Sequence, residues 1–490
     1  MSLKPRLARC CRIIKGTIVA ALIAWLVWFG VTRWNGAPAD PRGAYSGAEP
    51  RPASNQALDR TPELLHALRL LPAEGLQFTL PPPPAGKAWF RGETTVSLQD
   101  ALSEACCGIW SREDRPTLQL LVDLLETPGV RQALAELSAI PPGGFNRDEI
   151  GYDSLGVARG LLMARARYRH AELKDVGGAI DDLLACYRVA ALCYETNRTF
   201  AGTFADSTEL LVHHELCQLT HEQTLSPQEA ASIQEGFLER LPPRQVMWTH
   251  EIQRRIAWLR GWLDLAYTSN SEGDGWLVLS RVSPYNLALG TQWRPINSPS
   301  GGGWNLLSPL FNDRCAVSAK IARLEKSWTA VRNRPYAGAY TQLRELYARN
   351  AFSYLDGPLA AKAPFQCWEM VRYHARLYAL VAHRGGVVIN VALNRYRAEH
   401  GEYPVSLAEL TVAYLQEVPR DPFDGRTLRY RRLTPLEYAL YSVGPDQHDD
   451  GGSDLPKLLS GDLSPWKGDL VLHYPRPAPK KEPRLVEVSP

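Results

Sequence analysis

An excess of charge of one sign is the first thing this chain lacks. Its 55 basic residues stand against 52 acidic ones, a net of +3. No long basic run occurs beyond the N-terminus, which leaves a nucleic-acid surface without support. A disulfide framework is missing as well. Of nine cysteines, seven follow the N-terminal segment: Cys106, Cys107, Cys186, Cys193, Cys217, Cys315 and Cys367. That is an odd number at irregular spacing, and buried thiols suit it better than bridges. The run Ser298-Pro299-Ser300-Gly301-Gly302-Gly303 is not followed by the Gly-Lys-Ser/Thr of a phosphate loop, so it makes no nucleotide site. There is no G-x-S-x-G elbow, and Cys367 has no catalytic signature around it. His250-Glu251 lacks the second histidine of the zinc-protease pattern. No motif names a reaction.

What is present belongs to a folded protein. The 490 residues are 45% hydrophobic and 22% charged, enough for two or three domains with buried cores. The 14 tryptophans and 20 tyrosines imply extensive aromatic packing.

Residues 1–34 differ from the rest. Lys4, Arg6, Arg9, Arg12 and Lys15 precede an apolar run from Gly16 to Thr32. Its seventeen residues span about 25 Å as a helix, slightly less than a hydrocarbon core. With basic residues before it and Trp25, Trp28 and Trp34 toward its far end, it is expected to be a single-pass transmembrane helix. The N-terminus would lie inside, in the inner (cytoplasmic) membrane, with the body extracytoplasmic. Ala37-Pro38-Ala39 has the small-residue form of a signal-peptidase site, which would instead release the body.

Residues 35–96 read as a Pro-rich linker with one short helix that opens at Thr61-Pro62-Glu63. Pro81 to Pro84 form a stiff spacer. Residues 97–384 read as an irregular, all-α helical domain. Leu155 to Tyr194 gives two helices, with Gly177-Gly178 at the turn and Ala164, Ala171 and Ala179 permitting close approach. Later helices are expected at Pro227–Arg240, Gln245–Tyr267, Ala316–Val331, Tyr336–Tyr347 and Gln366–His383. Residues 268–312, rich in Gly, Ser, Trp and Pro, interrupt them as a lid or a seam. On a helix His213, Cys217 and His221 share one face. The spacing suits zinc, but ligands from one helix seldom surround a metal, and a partly buried face is the plainer reading.

Residues 385–475 are the most legible part. A helical run begins at Val387 and is followed by Tyr403-Pro404, a short second helix and two strand-like stretches. Then comes Asp446-Gln447-His448-Asp449-Asp450-Gly451-Gly452-Ser453-Asp454. Four carboxylates in nine residues, with glycines that let carbonyls turn inward, suit calcium, though not in EF-hand spacing. A solvated acidic turn is the alternative.

Three runs in order, A-L-N-R-Y-R-A-E-H-G-E-Y-P, V-P-R-D-P-F-D-G and Y-A-L-Y-S-V-G-P-D-Q-H-D-D-G, resemble the globular half of the type II secretion major pseudopilin. The resemblance implies a helix end packed on a small antiparallel sheet, with calcium in a C-terminal loop. Asp446, Asp449 and Asp450 would then be side-chain ligands, and Leu440 and Ser442 carbonyl donors. Lys15-Gly16-Thr17 departs from the prepilin cleavage pattern, with no Phe after the Gly and Ala21 where a Glu is needed. Residues 35–384 also separate the membrane segment from the cassette, so fibre assembly is not expected. Leu155–Tyr194 resembles one tetratricopeptide-like hairpin, without a second copy at fixed period.

The fold expected is therefore mainly α: a transmembrane helix, a helical domain and a small C-terminal α+β domain, with residues 476–490 a disordered tail. The expected function is that of a non-enzymatic, membrane-anchored envelope protein, related to secretion. Its helical domain would engage a protein or peptide partner, and calcium would stabilise its tail. The competing expectation is an extracytoplasmic metal-dependent hydrolase with its site near 268–312.

Overall fold

The computed structural model describes residues 61–73, 75–80, 87–89, 94–105, 116–139, 152–194, 199–238, 244–267, 277, 312–349, 352–356, 359–411, 413–452, 468–472 and 485–487. The expected membrane helix and the cleavage site lie outside them, as does nearly all of 268–312. Among the described residues, no helix is long and apolar enough to cross a membrane.

Twelve α-helices and a small C-terminal antiparallel sheet are described. The chain divides into two compact units. One falls within Ala53–Glu251, Pro335–Ala337 and Tyr373–Pro490, the other within Ile252–Arg334 and Gly338–Arg372.

In the larger unit, helix α1 (Thr61–Arg69) has Glu63 in its first turn and Arg69 in its last, the arrangement favoured by the helix dipole. Strands β1 (Gln77–Thr79) and β3 (Thr95–Ser97) pair antiparallel. Leu80 and Val96 are buried there, with Phe78 and Leu120 packed against them. The amide of Asp100 donates to Ser97 Oγ at 3.1 Å, a cap that starts α2 (Leu98–Ala105). Strand β2 (Lys87–Trp89) pairs with β7 (Leu485–Glu487). Of the stretch 476–490 only the three residues of β7 are described, and they pair across a span that sequence periodicity cannot see; the rest of it lies outside the described residues.

Helices α3 (Pro116–Leu125) and α4 (Pro128–Ala139) lead to a hairpin of α5 (Tyr152–Tyr168) and α6 (Val176–Tyr194). Helix α5 ends in a π-helical turn, Arg169–Leu173, and Lys174 follows in the left-handed region. The turn thus falls at Lys174-Asp175, and Gly177-Gly178 sit in the first turn of α6. Gly178 is needed there because a Cβ would come within 2.1 Å of Asp175 Oδ2. Helix α6 packs against α5, α7 (Thr199–Glu222) and α8 (Pro227–Leu238). Helix α8 opens on a reciprocal cap: Ser226 N donates to Glu229 Oε2 at 2.7 Å, and Glu229 N to Ser226 Oγ at 3.2 Å.

Helix α12 (Leu359–His400) carries the cassette. Its 42 residues pass through Gly385-Gly386 without a break, joining two helices that the sequence reading kept apart. Two glycines suggest a stop, yet here they are places of contact. A Cβ on Gly386 would lie 2.9 Å from Leu472 Cβ, and one on Gly385 would lie 3.1 Å from Pro419 Cβ. One turn beyond, Asn390 Nδ2 donates to the Leu472 carbonyl at 2.9 Å, and Tyr438 OH donates to Asn390 Oδ1. A further turn on, Asn394 Nδ2 donates to the carbonyls of Thr220 (2.5 Å) and Gln223 (2.6 Å) and its Oδ1 accepts from Leu225 N. Both buried amides are thus well satisfied, one on the sheet and one on the end of α7.

The sheet has the order β4 (Arg429–Thr434), β5 (Glu437–Ser442), β6 (Leu470–Val471). Tyr441 stands opposite Arg429 on one side and Val471 on the other. A helix end on a small antiparallel sheet is the arrangement expected for residues 385–475. The short second helix is a single 3₁₀ turn, Leu407–Leu410.

The smaller unit contains the rest of α9 (Arg244–Ala266), α10 (Arg314–Ala330) and most of α11 (Tyr336–Arg349). Helix α10 starts on Asp313, whose Oδ1 accepts from Ala316 N at 2.7 Å, and buries Val317, Ile321, Leu324 and Trp328. Asp356 ties the unit together, accepting from Lys320 Nζ (2.7 Å), Asn312 Nδ2 (2.7 Å) and Ser353 N (2.7 Å).

Candidate functional site

The buried face of β5 positions the C-terminal loop. Tyr438, Leu440, Tyr441 and Ser442 are buried, and Val443 continues the run. Gly444 then turns the chain at φ +66°, and Gln447, Gly451 and Gly452 also take positive φ. Only a loop rich in glycine bends so tightly several times without strain.

Asp446 and Asp449 each close a small turn. Asp446 Oδ1 accepts from His448 N at 3.2 Å, and Asp449 Oδ1 from Gly451 N at 3.1 Å. Asp446 Oδ2 reaches further and accepts from Gly468 N at 3.0 Å. Asp449 Oδ1 also accepts from Tyr441 OH at 3.1 Å, while its Oδ2 is 3.6 Å from Arg429 Nε. These donors hold the Asp449 carboxyl below its ordinary pKa, the Gly451 amide above all. Asp450 faces His448 at 3.7 Å.

The loop meets a residue that the sequence reading passed over. Asp469 immediately precedes β6 and is fully buried. Its Oδ2 accepts from Gly452 N at 2.6 Å, but its Oδ1 has no hydrogen-bond partner among the described residues. Burial raises its pKa, and the charges of Asp449 and Asp450 raise it further against the pull of two backbone amides. A buried carboxylate with an unmatched oxygen beside two others calls for a proton or a cation. The signal in the sequence is slight: Gly468-Asp469 before the apolar run Leu470-Val471-Leu472.

Asp446, Asp449, Asp450 and Asp469 gather at one end of the sheet. Leu440 and Ser442 lie on β5 beneath them. The Leu440 carbonyl accepts from Leu472 N at 2.9 Å, and Ser442 Oγ donates to Asp421 at 2.9 Å. Asp421 is itself well satisfied, since it also accepts from Val443 N and Phe423 N. Arg429 is a cation of the region, 2.5 Å from Asp424 and 3.6 Å from Asp421. In the present geometry, no group of three His, Cys, Asp or Glu among the described residues is already arranged to hold a metal ion. The exposed carboxylates of Asp449 and Asp450 would have to turn toward Asp469 to do so.

The face of α7 that suggested zinc is core. His213 Nε2 lies 3.3 Å from Glu209 Oε1 and is fully buried. Burial holds its pKa well below the usual histidine value. Glu209 accepts from Arg384 Nε at 2.7 Å. Cys217 Sγ is 3.2 Å from Asn390 Nδ2, and burial pushes the thiol up to about 12. His221 faces the edge of Tyr438. Cys186, Cys217, Cys315 and Cys367 carry thiols rather than disulfides. The hydrolase site expected near 268–312 falls outside the described residues apart from Leu277 and Asn312.

Compared with protein-family models, with curated proteins and with solved structures, the chain matches none of them.

Proposed function

We propose that the protein is a non-enzymatic envelope protein, anchored in the inner membrane through residues 1–34. Its helices serve as an interaction surface, and a bound calcium ion stabilises its pseudopilin-like C-terminal cassette. The observation that carries the reading is Asp469, buried with Oδ1 unmatched beside Asp449 and Asp450. Calcium supplies charge to such a group without demanding rigid geometry, and it accepts six to eight oxygens from side chains, carbonyls and water. Asp469, Asp449 and Asp450 would be its carboxylate ligands. Asp446 would act through its two backbone contacts as the brace that holds Gly468, and hence Asp469, against the loop. Leu440 and Ser442 have carbonyls near enough in sequence to join by their second lone pairs.

The helical surroundings support an interaction role rather than catalysis. Buried ion pairs described there tie helices together, among them Arg384 with Glu209 and Arg167 with Glu215. The test is calcium-dependent melting of the full-length protein. Calcium should raise the melting temperature, because an ion that binds only the folded state stabilises it. The double variant Asp449→Ala, Asp450→Ala should lose that response; a full response in the variant rejects those ligands.

A further inference from the structure

The hairpin of α5 and α6 closes one wall of a cavity of about 350 Å³, at the small end of the range for ligand sites. Leu125, Ala135 and Leu173 give it an apolar side, and Arg131, Arg165 and Arg169 a basic one. Its construction is local and deliberate. The π turn places Arg169 and Leu173, four apart, on the same side of the chain. Gly178 leaves room for the Arg169 guanidinium, which a Cβ there would meet at 2.9 Å.

The charges inside do not cancel. Arg165 Nε and Nη2 both bond Asp182, at 3.0 and 2.5 Å, and Arg169 Nη1 leans on the same carboxylate at 3.2 Å. Two guanidinium groups therefore share one buried acid. Arg165 is itself 8% exposed, and its Nη1 makes no hydrogen bond among the described residues. The other acids, Glu126 and Asp175, sit at the rim with half-exposed side chains, 3.3 Å from Arg131 and 3.6 Å from Arg169. Solvent screens them, whereas the inner pair acts at short range in a drier setting. Over the whole site three arginines face three acids, so the positive potential is confined to the inner end, where two guanidinium groups meet one buried carboxylate; that suits a monoanion better than a phosphate. Leu173, 54% exposed, is an apolar residue that the protein itself leaves uncovered.

We propose that this cavity binds a carboxylate carried on a small apolar group. Arg165 and Arg169 take the carboxylate, and Leu125, Ala135 and Leu173 take the apolar part. A free carboxylic acid and the C-terminal residue of a peptide present the same chemistry. The inference deepens the interaction role given to the helices, and it uses no residue of the calcium loop.

Calorimetric titration of the full-length protein tests it, with N-acetylleucine, its amide, inorganic phosphate, and a tripeptide ending in leucine as free acid or amide. The expected result is saturable binding of the free acids and about tenfold weaker binding of the amides, the scale of one charge-assisted hydrogen bond. A tripeptide acid that outbinds N-acetylleucine identifies a peptide terminus; equal affinities identify a small acid. Leu173→Asp, at an exposed position that should leave folding intact, should weaken either acid about tenfold by the same measure. Amides that bind as well as acids, phosphate that binds more tightly than N-acetylleucine, or an unaffected Leu173→Asp variant would overturn the proposal. Each titration is run with calcium and with a chelator. Loss of the calcium response leaves this result unchanged if the two sites are separate, so either proposal can fail alone.

Discussion

At the scale of single residues, Asp469 and His374 make opposite demands on pH. Asp469 has a raised pKa in the folded protein. Without an ion, its proton therefore binds the folded state more tightly than the unfolded one. The stability it contributes is complete below the ordinary carboxylate value of about 4 and is lost as pH rises through its folded value. Calcium replaces the proton, so the calcium-induced rise in melting temperature should grow with pH and vanish under acid conditions. Asp469→Asn should abolish the calcium response while leaving the ion-free protein as stable as the parent or more so. A variant that still responds to calcium would remove Asp469 from the site. His374, 1% exposed among Trp248, Tyr336 and Tyr378 with Arg244 nearby, is held by burial to about 3. His213 is shifted the same way. Their stabilisation is present above about pH 6.5, where the unfolded imidazole is neutral, and is lost as pH falls toward the folded values, by up to about 1.4 kcal/mol per pH unit for each ring. Among the described residues four histidines, His213, His221, His374 and His383, are held down, and three aspartates, Asp182, Asp421 and Asp469, are held up. The histidines begin to lose stability at a higher pH than the aspartates regain it, so the ion-free protein should melt at lower temperature at pH 5 than at pH 7. His374→Phe should flatten that slope.

At the scale of elements, glycines decide where α12 can meet the sheet. Gly386→Ala should destabilise the protein by about 1–3 kcal/mol, because its Cβ has to displace Leu472 in a packed interface. The better helix propensity of alanine, worth about 1 kcal/mol, returns part of that. Gly261, inside α9, has open space around the same position. Gly261→Ala should therefore stabilise by up to about 1 kcal/mol. Denaturant titration of the two variants separates packing from propensity, and equal shifts would refute the contact. The ion pair Arg384–Glu209 makes a second case. Removing the arginine alone takes the cation from a fully buried carboxylate, which then rests on neutral groups such as the His213 ring, at a cost of about 3–5 kcal/mol.

These same elements show how far the sequence could be read. The hydrophobic spacing of α6, α10 and α11 predicted their presence and, within a few residues, their ends. Gly385-Gly386 and Gly177-Gly178 misled for one reason: glycine marks a turn or a close approach, and periodicity alone cannot tell which. The cluster Asp446, Asp449 and Asp450 was legible because its members are close in sequence. Asp469 was not, since only the register of β6 on β5 brings it beneath the loop. The pairing of β7 with β2 joins residues nearly four hundred positions apart, and no local pattern records it.

At the scale of the whole molecule, the cassette is not an appendage hung on a helical body. Asn394 and Arg384 bind α12 to α7 within the same compact unit as the sheet. Stabilising the loop should therefore stabilise that whole unit cooperatively, and calcium should slow amide exchange in α7 as well as in β5 and β6. Protection confined to residues 440–472 would show the cassette opening independently.

The most direct test of the account is the calcium content of the purified full-length protein after dialysis against calcium at neutral pH, compared with the Asp469→Asn variant. One ion per parent chain and none in the variant is the predicted result. A parent chain that retains no more calcium than the variant contradicts the account.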